Sequence, residues 1–169
     1  MVLKPSHVLD DIVAAYDLER DLLRIAIRRS DWSFLVGTGF VGRPVSDSQA
    51  DVERLRSRLD EMTVVMLWIE FERHLTEHIL SRMNVLATTP APFNAQLSAR
   101  MEHLIEYSRV DDLLDLYKGW IDSAALGSVK QIKDFRDWVR HRNPRRRKPA
   151  IVVPSYARTI LGDVMDQMV

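Results

Sequence analysis

The chain has 169 residues, with 24 acidic and 24 basic side chains, 46% apolar residues and no cysteine. That length suits one domain with a real core, here 1–169, and the balanced charge sets up no global field for nucleic acid. The lack of cysteine excludes a disulfide framework, a thiolate zinc site and a cysteine nucleophile, and is compatible with the cytoplasm.

Residues 6–29 read as a helix. Val8, Ile12, Ala15, Leu18 or Glu19, Leu22, Ile25 and Arg29 follow the three-four step of one face, and Ser6 suits the N-cap. Residues 30–46 break the pattern with Gly37, Gly39, Gly42 and Pro44. Trp32, Phe34 and Phe40 predict that this loop packs down. It lacks the Gly-Lys-Ser/Thr ending of a phosphate-binding loop. A long helix follows over 47–86, its stripe built from Leu55, Leu59, Met62, Val65, Met66, Ile69, Leu75, Ile79 and Met83. Thr88, Thr89, Pro90 and Pro92 stop it.

A third helical region covers 93–122, either continuous or broken near 108–111. Leu97, Met101, Leu104, Ile105, Leu113, Leu114, Leu116, Tyr117 and Trp120 are its apolar positions. Gly127 punctuates, and a helix runs over 128–141 until Asn143 and Pro144 end it. A last helix covers 155–168. Only 151–153 looks strand-like. The inventory predicts an all-α helical bundle of about five helices. The longest strongly apolar run, 64–69, is far short of the roughly 20 residues that span a bilayer. With no basic start and apolar centre of a signal peptide, the expectation is a cytoplasmic protein without a membrane segment.

The chemistry concentrates in Lys133-Asp134-Phe135-Arg136-Asp137-Trp138-Val139-Arg140-His141. At about 100° per residue, Ile132, Phe135, Trp138 and Val139 share an arc predicted to face the core. Arg136, Asp137, Arg140 and His141 take the opposite, accessible arc. Residues 136–148 also hold seven Lys/Arg against one acid, Asp137. Arg140, Arg142, Arg145, Arg146, Arg147 and Lys148 read equally as a solvated basic run or as a patch that tracks phosphates. Cleavage of an RNA backbone without a metal needs proton transfer at the 2′-hydroxyl and at the leaving 5′-oxygen, which an imidazole performs near neutral pH. It also needs a cation on the phosphoryl oxygens, and a guanidinium holds two at once.

Arg-Asp-Trp-Val-Arg-His resembles the Arg-x4–6-His motif of HEPN domains, in which the residue after the arginine is often Asn, Asp or His. The stretch Trp68-Ile69-Glu70-Phe71-Glu72-Arg73-His74-Leu75 resembles that family's apolar helix with an embedded glutamate. Glu72 falls within the apolar stripe, where a carboxylate is costly unless paired, and Arg136 is its natural partner. The resemblance covers two helices well and the rest by helix count. It implies a HEPN-like bundle acting as a homodimer with a composite site. It further implies a metal-independent endoribonuclease, often a toxin or defence effector with an antitoxin partner, leaving 2′,3′-cyclic phosphate and 5′-hydroxyl ends. Arg136 and His141 are then the catalytic pair, Asp137 a supporting group and RNA the substrate, with no cofactor or metal. Asn143 stands where adenylylated members carry tyrosine, which favours the plain ribonuclease branch. The alternative is a HEPN-fold module that binds nucleic acid or protein without catalysis. Glu70, His74 and His78 have metal-ligand spacing but no further ligand set, so they read as a polar helix face.

Overall fold

A computed structural model describes residues 4–28, 36–39, 41–87, 92–142, 145 and 147–168. In chain order its helices are α1 (His7–Arg28), α2 (Val45–Ala87), α3 (Pro92–Glu106), α4 (Val110–Asp115), α5 (Ser123–His141) and α6 (Pro154–Gln167). Among the described residues there is no strand, only an isolated bridge between Lys118 and Ile121. Residues 151–153 are irregular. Among the described residues no helix is long and apolar enough to cross a membrane.

The 43-residue α2 organises everything else: α1, α3, α4, α5 and α6 all pack on it. Its buried line is Val52, Val64, Leu67, Trp68, Phe71, Leu75, Ile79 and Met83. The predicted stripe is therefore correct at its C-terminal end and rotated before it. Leu55, Met62, Met66 and Ile69 are exposed. Two apolar lines run along this helix, and a three-four step fits both. The line that carries Trp68 and Phe71 buries more apolar area and takes the core.

The same rotation appears in α1. Leu9 and Tyr16 are buried, whereas Leu18, Leu22 and Ile25 of the predicted face are exposed. The Tyr16 hydroxyl donates to Asp60 Oδ1 at 2.7 Å and sets how α1 sits on α2. The predicted third region splits into α3 and α4 around residues 107–109, and the described residues form six helices. Leu97, Met101, Leu104, Leu116 and Trp120 of that region are exposed, while Leu113, Leu114 and Tyr117 join the core.

Gly127 does not interrupt α5. The helix starts at Ser123 because the Asp122 side chain caps it, accepting from Ala124 N at 3.0 Å and Ala125 N at 3.1 Å. Such a cap contributes about 1 kcal/mol. Ala125, Leu126, Val129, Ile132 and Phe135 of α5 enter one core with α6 residues Ala157, Leu161, Val164 and Met165. The α6 helix begins at Pro154, whose ring suits a first helical position. Gly162 lets it approach the start of α1: a Cβ there would meet Ser6 Cβ at 3.3 Å. Arg158 donates to Asp10 Oδ1 at 2.6 and 2.8 Å across the same junction. Trp32, Phe34, Phe40, Thr88, Thr89, Pro90, Asn143, Pro144 and Arg146 lie outside the described residues.

Candidate functional site

Arg136 occupies the position on α5 that follows Ala125, Val129 and Ile132 in the helical repeat, so its stem continues the apolar line. Only 12% of its side chain is exposed. The predicted accessible arc is thus corrected for this residue: Arg136 points toward the core edge, and the half-buried Trp138 lies nearly opposite on the helix. The helical wheel puts Trp138 on the core arc and Arg136 on the opposite one, each at the margin of its arc. Packing against α2 decided between them, because Glu72 waits there for the guanidinium.

Arg136 Nη2 donates to Glu72 Oε2 at 3.1 Å, and the same oxygen accepts from Trp68 Nε1 at 2.9 Å. The Arg136 Cζ stands 5.0 Å from the centroid of the Trp68 ring, a cation–π distance. Arg136 Nη1 donates to Asp137 Oδ1 at 2.7 Å. Arg136 Nε is buried and has no hydrogen-bond partner among the described residues. Glu72 and Asp137 remain part-exposed, at 39% and 32%. The network continues outward. Asp137 Oδ2 is 3.7 Å from Lys133 Nζ, which donates to Asp111 Oδ2 on α4 at 2.8 Å. Burial works against the Lys133 ammonium, but the Asp111 hydrogen bond and the nearby carboxylates outweigh it and raise its pKa. Trp68, Lys133 and Asp111 were not anticipated. The step of four between Trp68 and Glu72 was the available signal for the first.

One further turn along α5 the environment changes. Arg140 and His141 are exposed. Among the described residues no hydrogen bond or ion pair joins His141 to Arg136, whose guanidinium is held by Glu72 and Asp137. Arg142 ends the helix in the left-handed region at φ 41°, its N–H donating to Trp138 O at 2.7 Å. Its guanidinium pairs with Glu61 of α2. It also lies 5.8 Å from the Trp138 ring centroid, and Lys148 Nζ lies 4.8 Å from the same centroid. Arg145, Arg147 and Lys148 are exposed. The structure brings Arg136, Asp137 and Glu72 together and leaves His141 apart, beside the basic segment.

The two histidines of α2 form a separate cluster and not a solvated polar face. Arg82 Nε donates to His78 Nε2 at 3.3 Å, which leaves Nδ1 to donate to the Tyr117 hydroxyl at 2.6 Å. His74 Nε2 is buried and has no hydrogen-bond partner among the described residues. Burial is the main cause that lowers the pKa of both imidazoles and pushes Tyr117 up to about 12. Among the described residues no group of three or more His, Cys, Asp or Glu is placed to hold a metal ion.

Comparison with known proteins gives no match of this chain to any family model, curated protein or solved structure.

Proposed function

We propose that the chain is a metal-independent endoribonuclease of HEPN type, a cytoplasmic toxin or defence effector that cuts RNA. The observation that carries the reading is the 3.1 Å contact between Arg136 and Glu72. Two motifs far apart in sequence resemble that family, and their charged residues meet. Arg136 then supplies the cation for the phosphoryl group. A phosphoryl oxygen displaces Asp137 from Nη1 while Glu72 keeps Nη2, so the guanidinium stays oriented as it takes up charge. The attacking 2′-oxygen forms a bond to phosphorus, its proton leaves to a base, and the 5′-oxygen departs with a proton. His141 serves in one of these transfers or positions the 2′-hydroxyl.

A composite site in a homodimer accounts for the separation of Arg136 and His141 within one chain. The exposed apolar line Leu55, Met62, Met66 and Ile69 runs beside the Glu72 edge of α2 and supplies a surface for a second copy. Ile69→Glu is expected to convert the dimer to monomer in sedimentation and to abolish cleavage. A dimer unaffected by that charge places the interface elsewhere. An antitoxin is the expected further partner of a toxin of this kind.

One observation favours the alternative, a module that binds nucleic acid or protein without catalysis: Arg136 is only 12% exposed and is paired with two carboxylates. Labelled RNA in excess EDTA separates the two readings. Cleavage to 2′,3′-cyclic phosphate and 5′-hydroxyl ends is the expected result. Intact RNA that is retained by the protein supports the binding module instead.

A further inference from the structure

We infer that the Trp138 ring is a nucleobase platform, and that the substrate strand engages it unpaired. This rests on the reading of the chain as an RNA-directed protein and goes beyond it in naming the form of RNA. Trp138 was expected in the core. It is half-buried, on the side of α5 away from Arg136 and within a turn of His141. Phe135 stacks behind it, with ring centroids 6.4 Å apart and planes at 30°. That contact fixes the plane of the indole, so a partner meets a preformed surface.

Two cations already gather on this ring: Arg142, 5.8 Å away, and Lys148, 4.8 Å away. They reach it differently. The Arg142 guanidinium is also held by Glu61. Lys148 arrives from the segment between α5 and α6, and its ammonium rests on the indole. A flat π-face beside exposed Arg140, Arg142, Arg145 and Arg147 combines the two parts that bind a single strand: a stacking surface and cations for the phosphates. A surface cation–π contact is weaker than stacking of a base on an aromatic ring. A base therefore displaces the Lys148 ammonium, which then pairs with a phosphate. A paired base, stacked within its own helix, has no free face to offer.

The test measures affinity for a short 2′-O-methyl RNA, which this chemistry leaves intact, as a single strand and as a duplex of the same sequence. The full chain is compared with Trp138→Leu, Trp138→Phe and Lys148→Ala. Trp138→Leu is expected to weaken single-strand binding by roughly 10- to 100-fold, the worth of one stacked base, with duplex binding unchanged. Trp138→Phe is expected to keep most of the affinity, which guards against a folding defect in the leucine variant. Lys148→Ala is expected to keep the preference for the single strand, because the ring remains. Equal loss of single-strand and duplex binding in Trp138→Leu overturns the inference, as does loss of the preference in Lys148→Ala or no single-strand affinity in the unaltered chain. The cleavage reading fails separately: Trp138-dependent binding with no cut in unmodified RNA leaves the platform standing without the ribonuclease.

Discussion

The two halves of the motif on α5 sit in opposite surroundings. Arg136 lies at the core edge, held by Glu72, Asp137 and the Trp68 ring. His141, one turn later, is exposed beside the basic segment. A residue locked into packing carries stability along with any chemistry, and its removal damages both. An exposed residue at a helix end carries chemistry nearly alone. Loss of activity in an Arg136 variant is thus ambiguous, whereas loss in a His141 variant is not.

The largest effect on stability is expected at the buried end. Arg136→Ala leaves Glu72 without its cation and opens space over Trp68, for a loss of about 1–3 kcal/mol, in the range for hydrogen bonds to charged groups. A lower urea midpoint at unchanged slope checks it. Arg136→Met, which keeps the apolar stem, is expected to recover part of the loss. A midpoint unchanged by either substitution breaks the contrast from its buried side.

A smaller effect, dependent on pH, comes from the far side of α2. Burial lowers the His74 and His78 pKa values below the ordinary 6.5. Above that value both imidazoles are neutral in the folded and unfolded chain. As pH falls below it, the unfolded chain takes up protons first, so stability declines toward acid. Thermal midpoints at pH 7.5 and pH 5.5 are expected to differ in that direction. His78→Gln is expected to flatten the difference. A midpoint that rises toward acid contradicts the sign.

The smallest effect is expected at Arg142. Its guanidinium is 59% exposed and screened by water, whereas its partner Glu61 is 14% exposed, so Arg142→Ala is expected to lower stability by about 1 kcal/mol. A loss of several kcal/mol makes the C-terminal end of α5 a structural junction as well and erases the contrast with Arg136.

The all-α class and several helix ends were legible because punctuation is local: Pro92 and the polar stretch near Ser108 act through their own backbones. The start of α5 was misjudged because Gly127 drew attention from Asp122, whose side chain does the capping. The faces of α1 and α2 were less legible, since each helix carries more apolar positions than one face holds. Tertiary partners, such as Asp60 for Tyr16, chose between them. The Glu72–Arg136 contact was anticipated because a carboxylate within an apolar stripe demands a cation. That Arg136 rather than Trp138 turns inward was not, because both sit at the margins of the helical wheel.

The central claim is that His141 serves chemistry while Arg136 serves chemistry and packing together. It is tested most directly by measuring RNA cleavage in EDTA and the thermal midpoint on the same preparations of the unaltered chain and His141→Ala. The account predicts a rate lowered about 100-fold or more with the midpoint unchanged. Equal cleavage by both, or a rate that falls only in step with a fallen midpoint, contradicts it.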